Sequence, residues 1–150
     1  MSRHTFKEWI IAVRPWSFPA SAMPIIVTLA YLFWTGAEID WLKGLWALIG
    51  MVLFHCTGNV WSDYFDFKKG VDREDTIGGM SLTSGEFQPA EIKRLAWCLL
   101  VIAVASGLGI MYFTGLPTLY LGLAGCALTL LYPMLKYHAL GDLDIFLTYS

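Results

Sequence analysis

The sequence predicts an all-α fold: a multi-span transmembrane helical bundle with about four complete spans and the start of a fifth. Three observations predict it. Of 150 residues, 57% are hydrophobic and 15% charged, against about 25% charge in an ordinary globular chain. The charges are clumped, with none from Pro15 to Ala37, from Gly44 to Ser62, or from Leu95 to Leu135. Those runs hold 23, 19 and 41 residues, and about 20 apolar residues cross a bilayer as helix, so they make one span, one span and two spans. A soluble four-helix core would show polar faces at helical spacing, and these runs show almost none.

The elements follow in order. Residues 1–14 suit an amphipathic surface helix: Phe6, Trp9, Ile10 and Val13 recur at i, i+3, i+4, i+7, with Arg3, Lys7 and Glu8 elsewhere. No small-residue cleavage site follows a short apolar core, so this is not a signal peptide. Spans are predicted near 17–36, loosened by Pro19 and Pro24, and near 44–62. A polar loop over 63–94 separates them from spans near 95–114, starting near Pro89 or Leu95, and 117–135. The break at Gly115, Leu116 and Pro117 divides the long run, and Pro117 suits the first turn of a helix. An incomplete span starts near 140 and reaches the last residue, Ser150, so the chain reads as the N-terminal part of something longer. Cys56, Cys98 and Cys126 all fall in apolar runs as packing residues, without metal or disulfide spacing.

Nine of the ten Lys and Arg residues fall on one side of this topology and only Lys43 on the other. Basic residues stay cytoplasmic, which predicts a multi-pass protein of the cytoplasmic (inner) membrane with its N-terminus and the 63–94 loop inside. The lipid bilayer is the expected partner. No nucleic-acid partner is expected, and oligomeric state is left open.

The candidate site is the polar stretch "GNVWSDYFDFKKGVDRED" at 58–75. A carboxylate is costly at a membrane boundary, so four aspartates there need a reason. Asn59, Asp63 and Asp66, spaced four and three, share one face of a continued second helix. Asp72 can fold back from a turn at Gly70. Hard oxygen ligands at this spacing suit Mg²⁺, which binds through one or two carboxylates plus substrate phosphates. Lys68, Lys69 and Arg73 stand beside them, and acid with base in one loop is the composition of a diphosphate site. A solvated juxtamembrane loop is the plainer reading of the charges, but it does not explain Asn59 inside the boundary.

The motif N-x-x-S-D-Y-F-D-F-K-K-G-V-D at 59–72 resembles the first aspartate-rich motif of the UbiA superfamily of intramembrane aromatic prenyltransferases. It looks most like the branch that prenylates 1,4-dihydroxy-2-naphthoate on the way to menaquinone. "RPWSFPASAMP" at 14–24, "LTSGEFQP" at 82–89 and "LLYPMLKYHALGDL" at 130–143 are similar to further pieces of that branch, in the same order. The resemblance implies a bundle of about nine helices. It implies transfer of a polyprenyl group from polyprenyl diphosphate to an aromatic acceptor, with Mg²⁺ as cofactor. Asp63, Asp66 and Asn59, with Asp72, would hold the metal; Lys68, Lys69, Arg73, Arg14 and Lys136 would neutralise the diphosphate. Ser62 stands where many relatives carry Asn, and Met80 where they often carry Lys or Arg. The family's second aspartate motif lies beyond the sixth span, so these 150 residues are expected to hold half a metal site and no activity alone. Asp142 and Asp144 are not that motif; Asp142 reads as a cap of the fifth helix. The rival readings are another aromatic acceptor, such as a hydroxybenzoate or homogentisate, and a truncated membrane protein that binds metal or lipid without catalysis.

Other residues stay open. His55, one turn before Asn59, is a packing histidine or a substrate-orienting one. Tyr64, Phe65 and Phe67 touch substrate or bury against helices. Tyr137 and His138 flank Lys136 without a role the sequence chooses. Thr83, Ser84 and Gly85 make a phosphate-facing turn or a plain one. Gly107, Gly109, Gly122 and Gly125 suit close helix approach.

Overall fold

The first helix begins where Thr5 can cap it. The Thr5 hydroxyl accepts from the Glu8 amide while the Glu8 carboxylate accepts from the Thr5 amide, a reciprocal box that starts α1, Phe6–Ala12. The computed structural model describes residues 4–72, 80–137 and 146. Arg3, Arg73, Asp75, His138, and the candidate fifth span with Asp142 and Asp144 lie outside the described residues.

After α1 a 3₁₀ turn, Pro15–Ser17, leads into α2, Phe18–Trp34. Pro19 falls at its start, where a missing N–H is no loss, and Pro24 lies inside it. Asp40 then caps α3, Trp41–Lys69, by accepting from the Lys43 amide at 3.1 Å. A short α4, Met80–Thr83, precedes α5, Pro89–Thr114, and α6, Leu116–Tyr137. No strand occurs among the described residues. The segments Pro15–Trp34, Trp41–Lys69, Pro89–Thr114 and Leu116–Tyr137 are long and apolar enough to cross a bilayer. The chain is therefore an all-α, multi-pass membrane protein.

The helix of the second span continues beyond the apolar run, as the shared face of Asn59, Asp63 and Asp66 requires: α3 runs on to Lys69, the connection begins at Gly70, and α5 starts at Pro89. Helical hydrogen bonding carries the polar residues past the apolar run until Gly70 turns left-handed, at φ 68°. The Gly70 amide donates to Phe67 O and the Val71 amide to Asp66 O, a Schellman end that reverses the chain.

α3 is the central helix and packs most extensively on α5, then on α2 and α6. One seam contact needs glycine: a Cβ on Gly109 would stand 2.6 Å from Cζ2 of Trp46. The Trp46 indole is fixed by donating to Ser106 Oγ at 2.9 Å. Gly107, Gly122 and Gly125 face open space instead, so close approach rests on Gly109 alone of the four expected.

The buried apolar core gathers at the aspartate end of α3. Ala12, Val60, Leu82, Phe87, Ile92 and Ala96 are buried together, with Trp9 and Tyr64 packed against them. Thus α1 lays Trp9 and Ala12 on the bundle, while Phe6 stays 80% exposed. Phe87 stacks on His4 at 4.0 Å and meets Trp9 edge-on at 4.7 Å, tying the 80–89 segment to α1. Elsewhere the helices carry large exposed apolar side chains, such as Val27, Phe33, Val101, Leu121 and Leu123. A bilayer is the solvent in which such faces are stable.

Candidate functional site

Four of the sequence-predicted residues meet as two crossed ion pairs at one end of the bundle. Continuation of α3 places Asp63 and Asp66 on its inner face, 6% and 5% exposed. Asp66 receives Lys136 from the last turn of α6, with Nζ 2.9 Å from Oδ2 and 3.1 Å from Oδ1. The Tyr137 hydroxyl donates to Asp66 Oδ1, and Ser62 Oγ donates to Oδ2 at 3.1 Å. Asp63 Oδ1 faces Nη2 of Arg14 as an ion pair. Each buried carboxylate is thus met by a base from a different element, the arrangement a buried charge requires.

Asp72 joins them because the Gly70 turn brings the chain back. Its Oδ2 is buried and takes no hydrogen bond among the described residues. Burial, then the neighbouring Asp66 charge, push its carboxyl above the usual carboxylate range, against the pull of Arg14 and Lys136. Lys69 sits over the Tyr137 ring at 5.3 Å, and Lys68 is exposed on the last turn of α3.

Asn59 is differently placed. Its amide nitrogen donates to Ser17 Oγ at 2.9 Å and to Val13 O at 3.3 Å, so it is committed to the turn between α1 and α2. Only Oδ1 is left for a cation. His55 belongs to the same network, with Nε2 2.8 Å from Ser17 Oγ, and its ring meets Phe18 edge-on at 6.2 Å. Tyr64 and Phe65 pack on Trp61, whereas Phe67 is 37% exposed. The 80–89 turn is anchored through Leu82 and Phe87 in the core.

The sequence reading missed Ser17 and left Tyr137 without a role. One signal for Ser17 was present: it is a polar residue three after Arg14 in a run without charges. Tyr137 gave none, because its contact joins residues 71 apart.

The donor set fits a hard divalent cation. The groups are carboxylates, and the buried Asp72 Oδ2 has no donor among the described residues. Among the described residues no three His, Cys, Asp or Glu side chains form a preformed cage. Mg²⁺ does not need one, since it completes its octahedron with waters and substrate phosphates.

Fold and site together define a polytopic α-helical membrane protein with a buried cluster of acids and bases at one mouth of its bundle. The chain belongs to the UbiA prenyltransferase family, whose model matches residues 22–150. It is similar to a "UbiA prenyltransferase domain-containing protein 1 homolog" of Drosophila melanogaster, 32% identical over 96% of this chain and 42% of the relative. The Danio rerio protein of that description is 30% identical over 95% of this chain and 44% of the relative. The Xenopus tropicalis protein is 29% identical over 95% and 43%. The chain therefore spans less than half the length of these relatives. No solved structure matches it.

Proposed function

We propose that the intact protein is a Mg²⁺-dependent prenyltransferase that moves a polyprenyl group from its diphosphate to an aromatic acceptor. The observation that carries this reading is the pair of buried carboxylates, Asp63 and Asp66, each matched by a base and lying beside the under-donated Asp72. Asp63, Asp66 and Asp72 would hold the metal. Mg²⁺, when bound, withdraws charge from the diphosphate and makes it a better leaving group. Arg14 and Lys136 sit against the carboxylates and would neutralise phosphate oxygens, with Lys68, Lys69 and Arg73 supplying further positive charge. The charge-free spans keep water from the allylic cation that diphosphate departure leaves.

The acceptor we propose is 1,4-dihydroxy-2-naphthoate, giving the prenylated precursor of menaquinone. It is supported by the motif at 59–72 and the three further pieces in order. The relatives' names specify a prenyltransferase domain and no acceptor, so the motifs alone carry this step. Nine of ten basic residues on one side support a cytoplasmic N-terminus and a cytoplasmic site. The test is transfer of labelled prenyl diphosphate by the intact protein to a panel of acceptors with Mg²⁺. Product with the naphthoate supports the reading. Product only with a hydroxybenzoate or homogentisate rejects that acceptor, and none with any aromatic acceptor rejects the activity.

A further inference from the structure

We infer that Asn59 and His55 are positioning residues: acting through Ser17, they set the Arg14 turn so that its guanidinium meets Asp63. This rests on the reading of the site as a diphosphate centre. Arg14 lies in the left-handed region, at φ 56° and ψ 63°. It is the one described non-glycine residue with positive φ. Crowding between Cβ and carbonyl disfavours that conformation, and Pro15 disfavours the ordinary right-handed alternative. Such a backbone persists when its surroundings over-determine it.

Here the surroundings grip both flanking peptides. Arg14 O accepts from Ser17 Oγ at 2.7 Å and from the Ser17 amide at 3.0 Å. Val13 O accepts from Asn59 Nδ2. Ser17 has one hydroxyl proton, which goes to Arg14 O. It therefore accepts from Asn59 Nδ2 at 2.9 Å, and His55 presents Nε2–H to it at 2.8 Å. Asn59 stands one helical turn before Asp63 on α3. One helix face thus holds the Arg14 backbone at Asn59 and the Arg14 head group at Asp63. The amide long enough to serve as a metal ligand is spent as a clamp.

The test uses the intact protein and a double-mutant cycle in thermal unfolding between Arg14→Met and Asp63→Asn. The coupling is expected in the parent, lost in Asn59→Ala and Ser17→Ala, and restored in Ser17→Thr, which keeps the hydroxyl. A residue that only satisfies buried polar groups lowers the melting temperature and leaves the coupling intact, which overturns the inference. In transfer assays, Asn59→Ala should cut kcat/KM about 10- to 100-fold, as loss of a supporting contact does, with no further cut on adding Arg14→Met. Affinity for Mn²⁺ with inorganic diphosphate, read by electron paramagnetic resonance, should be far less affected than in Asp66→Asn. An equal loss makes Asn59 a metal ligand and overturns the assignment. Where Asn59→Ala does not fold, Ser17→Ala and His55→Gln give the same decision. A parent that transfers no prenyl group sinks the proposed function, while the stability cycle still decides the clamp.

Discussion

Asp66 and Lys136 are 70 residues apart, yet Lys136 Nζ touches both oxygens of the Asp66 carboxylate, at 3.1 and 2.9 Å. This pair fixes the end of α6 against the end of α3.

Removing Lys136 leaves that acid with Tyr137 and Ser62 as its donors. Breaking a fully buried pair costs about 3 to 5 kcal/mol. Lys136 keeps about a third of its side chain in solvent, so Lys136→Met should cost about 2 kcal/mol. Adding Asp66→Asn should recover most of the loss, because the uncompensated charge is gone. Thermal unfolding in detergent of the two variants checks both statements.

Gly109 and Gly107 make a matched contrast on α5. Gly109→Ala sets a methyl against Trp46, whose indole is tied to Ser106, and should destabilise by about 1 to 3 kcal/mol. Gly107→Ala meets open space and should stabilise by up to about 1 kcal/mol through helix propensity. Melting temperatures of opposite shift are the expected result.

The topology is tested by single cysteines in a background without native ones. Val71→Cys and a cysteine at Ser2 should label from the same face of sealed vesicles, and Lys43→Cys from the opposite face. Lys43 is the one base that the charge pattern of the sequence assigns to that face.

The Gly70 turn carries Asp72 back toward Asp66. Gly70→Ala forces a Cβ into a left-handed position and should cost about 1 kcal/mol. Its more telling effect is on the metal: the Mg²⁺ concentration for half-maximal transfer should rise several-fold while the acceptor KM stays unchanged.

The four spans were legible because lipid forbids charge, and charge-free runs of the right length mark where helices cross. The shared face of Asn59, Asp63 and Asp66 was legible for a similar reason: helical spacing is local. What joins that face to the rest was not local. Arg14 meets Asp63 across 49 residues, and Lys136 meets Asp66 across 70. No periodicity encodes such approaches; family resemblance pointed to Arg14 and Lys136 as bases for the diphosphate, not as partners of Asp63 and Asp66. The commitment of Asn59 to Ser17 was hidden too, because an amide on a polar face serves a metal or a backbone equally well. Hydropathy marks where lipid ends, near Ser62, whereas helical hydrogen bonds carry α3 on to its left-handed glycine, Gly70.

The central claim is that Asp63 and Asp66 hold a divalent cation against the donor's diphosphate. Transfer of a labelled polyprenyl group by the intact protein, assayed with chelator and then with Mg²⁺ restored, tests it most directly. The account predicts loss of product in chelator, recovery with Mg²⁺, and no recovery in Asp63→Asn or Asp66→Asn. Undiminished transfer in chelator, or in the variant lacking both carboxylates, would contradict it.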